Sequence, residues 1–426
     1  MQNPLRLFAS PLAALMLFSA ATLHTYIVWS ILSDKHPVIW SLHNDTIHRK
    51  GKGADFFSVY HAARCLYEPE PHTLYNCPHD PKTPYSYSYR YLPAVACCLY
   101  PLRALSPWIA YALWVTLLEA VLILIVILIG NAISDLHTRL IAVILLLLNS
   151  PYFLELYMGQ FTFLSTALYL IGVFLHIAPI FVAFAIVIKL FPLITLPAWL
   201  RQKWGLLLIF TCADIGIITN MPYTANHPRA MIEVYERNLY IHDRDILYFS
   251  GNYGLAAMIG LSLGAVGAED AVKPIIWGIK YGVFLFSIGI VLFSKRSHIW
   301  AQACLLLLAH FLTYHQVWEH HYSAVMLIGV SMLTPPECIG YPRMLILIAL
   351  VVMALPTPFG ILDIEKNPQV WDPTLQWALW KKYAILLPKV APLLMLYGVA
   401  VWYNLREGLL TLPEVWRQVR QAQALP

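Results

Sequence analysis

The sequence predicts an all-α integral membrane protein, a bundle of about 10 to 13 full and partial crossings. Three observations lead there. Hydrophobic residues make up 59% of the 426 and charged residues only 12%, against about 25% charged in soluble domains. Apolar stretches of bilayer length recur from end to end. Short Lys/Arg clusters separate them in an order that one membrane face can accommodate. The formal charge of +5 comes with no basic run, so nucleic acid is excluded as a partner.

The first apolar stretch, 7–32, follows Arg6. It has the length of one crossing and no small-residue cleavage site at its end, which favours a retained anchor over a signal peptide. Residues 33–106 then form a first external loop with interfacial helices. Further apolar segments fall at 107–133, 139–153, 160–175, 177–200, 204–221, 252–267, 274–294, 299–313, 322–334, 343–356 and 383–404. Arg139, Arg201, Lys203, Lys295, Arg296, Arg343 and Arg406 all reach the cytoplasmic face if 92–104, 177–200 and 252–267 stop short of a full crossing. Both termini are then cytoplasmic, and 405–426 is an amphipathic tail carrying Trp416, Arg417 and Arg420. The chain reads as one polytopic domain over 1–426 in a cell membrane. Its larger loops, 33–91, 222–251 and 357–381, and the turns 150–160 and 315–321 gather on the external side.

One polar stretch stands out, 51–93, dense in tyrosine, proline, histidine and arginine. Long loops of this kind are usually functional or disordered, and aromatic content argues against disorder. Asp55 to Tyr67 reads as a helix lying at the interface, with Phe56, Val59, Ala63 and Leu66 on one face. Asp55 heads it, where a carboxylate suits the helix dipole without any chemistry. Asp45 is the rival carboxylate in the same loop. Cys65 and Cys77 are either two free thiols or, in an oxidising compartment, a disulfide worth about 3 kcal/mol. The other five cysteines sit in or beside apolar segments.

Four groups of residues carry chemistry. Asp55, Tyr60, His61 and Arg64 precede Tyr89-Arg90-Tyr91-Leu92-Pro93 and Pro101-Leu102. Gly159-Gln160 follows Asn149-Ser150-Pro151. Lys189-Leu190-Phe191-Pro192 interrupts an apolar segment, where a charge is costly and marks a functional site by default. His315-Gln316-Val317-Trp318-Glu319-His320-His321 closes an external helix end. Adjacent histidines point to different helix faces, so they suit an anion better than one shared metal.

In this order the motifs resemble glycosyltransferase family 87, integral-membrane transferases of the GT-C class that use polyprenyl-phosphate-linked sugars. The resemblance spans 55–322. It implies that Asp55 is the catalytic base and that His320 or His321 assists at the donor phosphate. It implies that Tyr89, Tyr91, Gln160 and Lys189 surround the active cavity. Arg64 and Arg90 add positive charge, and Tyr60 and Trp318 complete the expected substrate contacts. Two positions depart from the family pattern: Leu92 stands where a proline is usual, and Thr162 where asparagine is frequent. The implied reaction is an inverting transfer, from a polyprenyl-phosphate donor to a lipid or glycan hydroxyl on the external face, without cofactor or metal. Mannose is the first sugar expected, with arabinose or another pentose as alternatives. A lipid-linked saccharide transporter or flippase is the rival; it calls for inverted repeats and a continuous charged path, and neither is visible in the sequence.

Overall fold

A computed structural model describes residues 10–33, 51–67, 73–84, 89–174, 178–203, 205–230, 232–233, 252–295, 298–357 and 378–423. Asp45 and most of the expected loops 222–251 and 357–381 lie outside the described residues. In chain order the helices are α1 (Pro11–Leu32), α2 (Ala54–Ala62), α3 (Pro93–Leu99), α4 (Pro107–Ala132), α5 (Leu136–Leu147), α6 (Ser150–Met158), α7 (Thr162–Phe174) and α8 (Ala178–Ile188). They continue with α9 (Leu196–Trp199), α10 (Gly205–Thr224), α11 (Leu255–Ala265), α12 (Glu269–Phe293), α13 (Ile299–Thr313), α14 (Tyr322–Ser331), α15 (Gly340–Ala354), α16 (Leu379–Leu405) and α17 (Leu412–Gln423). The architecture is all-α and membrane-embedded, as the sequence predicts.

Helix length sorts the bundle into two classes. α1, α4, α10, α12 and α16 have 20 to 27 residues, about 30–40 Å at 1.5 Å per residue. That matches a hydrocarbon core of about 30 Å. α7, α8, α13, α14 and α15 have only 10 to 15 residues, about 15–22 Å. The long helices expose apolar side chains, such as Phe210, Ile217, Leu285 and Phe286. Among the short ones, every residue of α14 and most of α7 and α13 are buried, whereas α8 and α15 expose apolar side chains such as Ile180, Tyr341 and Ile348.

The short basic turns gather at one end of the bundle. Arg343 meets Asp135 at 3.5 Å and Arg406 meets Glu337 at 3.6 Å. The Lys295 N–H donates to Gly408 O at 2.9 Å. Arg201 donates to Val291 O at 2.8 Å and to Gln418 on α17 at 2.6 Å. α17 packs there through Val415 and exposes Leu412 and Trp416.

The segment expected at 139–153 is one crossing broken between α5 and α6. Pro151 has no N–H for the carbonyl of Leu147 four residues back. His24 of α1 fills the gap, its Nδ1 lying 2.6 Å from Leu147 O. His24 Nε2 reaches Glu119 of α4 at 2.8 Å, and the Tyr152 hydroxyl donates to the same carboxylate at 2.9 Å. Buried polar groups thus tie α1 to α4 and α6 inside the apolar layer.

α2, which heads the stretch expected to lie at the interface, is enclosed by protein: Phe56 through His61 are buried on every face. The loop beyond it covers the side facing away from the bundle. Cys65 and Cys77 form a disulfide, Arg64 donates to Pro78 O at 2.6 Å, and His61 Nε2 lies 3.3 Å from Cys77 O. Arg103 ties the same flap down by meeting Asp80 at 3.3 Å. Burial alone would raise the Asp80 carboxyl, but the Lys82 N–H and the Arg103 guanidinium outweigh it and hold it below the usual range.

Candidate active site

The start of α2 is held against the end of α6 by two contacts. The Gly53 N–H donates to Tyr157 O at 2.7 Å. Gly159, at φ 66°, lies so close to α2 that a Cβ there would stand 2.5 Å from Phe56 Cβ. Only glycine adopts that conformation cheaply and permits that approach. These contacts set Asp55, in the first turn of α2 and half-buried, beside the Gly159–Gln160 turn.

Gln160 joins two further polar residues to this turn. Its Oε1 accepts from the Tyr91 hydroxyl at 3.3 Å and from Lys189 Nζ at 3.2 Å. Lys189 follows the last turn of α8 and also donates to the Thr162 hydroxyl at 2.6 Å. The departure from the family pattern at Thr162 therefore supplies a direct lysine partner. Lys189 lies within electrostatic reach of Asp55 and Glu155, and His321 lies within reach of Lys189. One ammonium is thus common to the loop carboxylate, the Gly-Gln turn and the histidine pair.

Glu155 was not singled out from the sequence. It is fully buried on α6. It accepts from the Phe163 N–H at 2.7 Å and from the Ser323 hydroxyl at 3.1 Å. Phe163 stands in the first turn of α7 and Ser323 two residues beyond His321, so one carboxylate fastens α7 and α14 to α6. A lone glutamate inside an apolar run, five residues before Gln160, was the available signal.

The histidine turn, Glu319–His321, joins α13 to α14. The Trp318 N–H donates to His321 Nδ1 at 3.1 Å, which leaves the ring proton on Nε2. Burial, with His320, Lys189 and His310 nearby, holds His321 well below its ordinary value, so the ring is neutral. The His320 ring meets it edge-on, with centroids 4.4 Å apart. Asn252 braces the turn from outside, donating to His315 O at 2.7 Å and accepting from the Val317 N–H at 3.0 Å. From below, Glu319 pairs with Lys389 at 3.3 Å.

The remaining expected residues divide. Tyr91, half-buried, packs on Phe161 at 4.8 Å and faces Gln160. Arg90 is exposed and within electrostatic reach of Tyr91 and Tyr314. Trp318 is half-buried beside the histidines. Three others have polar atoms bonded to backbone carbonyls. The Tyr60 hydroxyl donates to Leu105 O at 2.8 Å. Arg64 holds Pro78 O. The Tyr89 hydroxyl donates to Leu92 O and accepts from the Ala96 N–H at 3.2 Å, fixing the start of α3.

The family model described as glycosyltransferase family 87 matches residues 89–336. That is more than half of the chain and runs from Tyr89 past the histidine turn. No curated protein and no solved structure matches. Asp55 precedes the matched stretch; Gly53 and Gly159 are what join it to the rest.

Proposed function

The chain belongs to glycosyltransferase family 87 and is a membrane glycosyltransferase; we propose that it transfers a sugar, mannose first among candidates, from a polyprenyl-phosphate donor to a lipid or glycan hydroxyl. The surroundings of Lys189 carry this reading. Its ammonium has three donors, and among the described residues only the neutral oxygens of Gln160 and Thr162 take hydrogen bonds from it. A third N–H is left for an anion.

In the proposed reaction the Asp55 carboxylate removes the acceptor proton as the hydroxyl attacks the anomeric carbon. The bond to the phosphate oxygen breaks and the charge grows on the departing polyprenyl phosphate. Lys189, Arg90 and the N–H of a histidine in the 320–321 pair meet that charge. One displacement inverts the centre, the same stereochemical logic as in inverting glycosidases. Tyr91 and Gln160 hold the ammonium in place, and Trp318 offers an aromatic face to the sugar. The Cys65–Cys77 disulfide, ten residues beyond Asp55, supports an oxidising compartment on this side. That agrees with an external active face and cytoplasmic basic turns.

The test is transfer by purified protein of labelled sugar from synthetic polyprenyl-phosphate sugars to a lipid extract. Product from a mannosyl or pentosyl donor, dependent on Asp55, supports the reading. No product from any such donor, with lipid-linked saccharide moved across vesicles instead, would replace it with the transporter.

A further inference from the structure

The segment 315–318 leads from α13 into the histidine turn, and one side chain grips it. Asn252 is buried and stands three residues before α11. Its amide nitrogen donates to His315 O at 2.7 Å, and its oxygen accepts from the Val317 N–H at 3.0 Å. The same oxygen accepts from the Gly254 N–H at 3.1 Å, which fixes the amide in place. The adjoining Tyr253 N–H donates to Val317 O at 2.7 Å. Asn252 and Tyr253 thus hold both backbone polar groups of Val317, itself fully buried. The fit is close: a Cβ on Gly254 would stand 3.1 Å from Val317 Cγ2 and 3.2 Å from the Asn252 oxygen. The Tyr322 hydroxyl donates to Tyr253 O at 2.7 Å, tying the first residue of α14 to the same grip.

A peptide unit is planar and trans, so its N–H and C=O point in opposite directions. The Val317 N–H and C=O are turned toward residues 252 and 253. The other ends of those two peptides, the Gln316 carbonyl and the Trp318 N–H, are therefore turned away from them, and the His321 ring meets them there. The Trp318 N–H donates to His321 Nδ1 at 3.1 Å, and the Gln316 carbonyl is within hydrogen-bonding reach of the ring. Both backbone groups that meet the imidazole thus ride on peptides that Asn252 and its neighbour orient. Asn252 and His321 are both buried. Losing the amide would strand His315 O and the Val317 N–H, a cost the segment escapes only by moving, and His321 moves with it.

We propose that Asn252 is a positioning residue for sugar transfer: it acts through His321, whose ring it holds at the angle at which the histidine meets the departing phosphate. This rests on the transferase reading and names the residue behind its histidine pair. The test is transfer from synthetic polyprenyl-phosphate sugars by the full-length protein, for Asn252→Ala, Asn252→Ser and His321→Ala and for each Asn252 variant combined with His321→Ala. A melting temperature accompanies each rate. Asn252→Ala should lower kcat about 10- to 100-fold, the range for misplacing a reacting group by about 1 Å, with the donor KM little changed. Asn252→Ser keeps an oxygen for the Gly254 N–H but is too short to reach His315 O, and should fall between Asn252→Ala and wild type. In the His321→Ala background Asn252→Ala should cost no further rate, because the group it positions is gone. A multiplied loss there, or a loss confined to the melting temperature, makes Asn252 a brace of the fold and overturns the inference. Should Asn252→Ala fail to fold, Asn252→Ser carries the same cycle to the same two outcomes. Full activity of His321→Ala overturns the inference and leaves the transferase reading intact. A wild type that transfers no sugar from any such donor removes both.

Discussion

Two lysines inside the bundle are held in opposite ways. Lys389 is completely buried, and all three of its donors are used: on Glu319 at 3.3 Å and on the carbonyls of Met353 and Leu355 at 2.8 Å each. Those carbonyls belong to the end of α15, where a helix has no N–H of its own to offer them. Lys189 is half-buried, bonds two neutral oxygens, and keeps its carboxylates at a distance. The first arrangement is closed and can only hold structure. The second has, among the described residues, no carboxylate in contact and, in the proposed reaction, keeps charge for a ligand. Both touch the histidine turn, Lys389 through Glu319 and Lys189 through its field at His321. In the proposed reading the same residue type is an anchor on one side of the turn and an anion receptor on the other.

The largest effect expected at the open site comes from the proton acceptor. Asp55→Asn should lower kcat about 10³-fold, within the range for losing a general base. The melting temperature in detergent should stay near wild type, because Asp55 is half-buried and outside the hydrophobic clusters. Transfer undiminished by this variant would remove Asp55 as the base and leave it as a helix-start acid.

Breaking the closed pair should show the opposite pattern. Lys389→Met strands Glu319 in the core and should cost about 3–5 kcal/mol of stability, read as a large fall in melting temperature. Adding Glu319→Leu should recover part of it, since a buried ion pair replaced by apolar groups is often tolerated. Recovery stays partial because Met353, Leu355 and Thr357 lose their partners. Should Lys389→Met instead lose activity with its stability intact, the contrast between anchor and receptor fails.

Lys189→Met should do less to stability than Lys389→Met, and should lower kcat about 10²-fold, the loss typical of one charge-stabilising donor. Glu155 keeps the Phe163 N–H and the Ser323 hydroxyl in that variant, which is why the fold should hold. Circular dichroism melts beside single-turnover rates separate the two lysines.

The same contrast explains how far the sequence alone could be read. Apolar segments were legible to within a few residues, because lipid leaves a spanning chain little alternative but helices. The break at Leu148–Asn149 was not, because Pro151 inside an apolar run does not say that His24 waits on another helix. Asp55, Gln160, Lys189 and the histidine pair were singled out because each is a polar group where polar groups are scarce. Tyr60, Arg64 and Tyr89 were read the same way, yet backbone carbonyls absorb them; a side chain's type does not reveal whether its partner is the protein or a ligand. Glu155, Lys280 and Lys389 are single charges in apolar runs. Sequence gives all three one appearance, and only packing separates them.

Glu155 tests the boundary between the two arrangements. It is buried as deeply as Lys389 and hydrogen-bonded like a structural group, yet its field falls on Lys189. Glu155→Gln keeps an acceptor for the Phe163 N–H and turns an amide toward the Ser323 oxygen, so α6, α7 and α14 should stay joined and the melting temperature should change little. What it removes is the negative charge behind the ammonium. The expected result is about a tenfold loss in kcat, or 1.4 kcal/mol, with Glu155→Ala losing both stability and rate. Because the two sites meet here, the double variant Glu155→Gln with Lys189→Met should be no slower than Lys189→Met alone. Multiplied losses would mean that Glu155 acts only as a fastener, and that the counter-charge for Lys189 comes from Asp55.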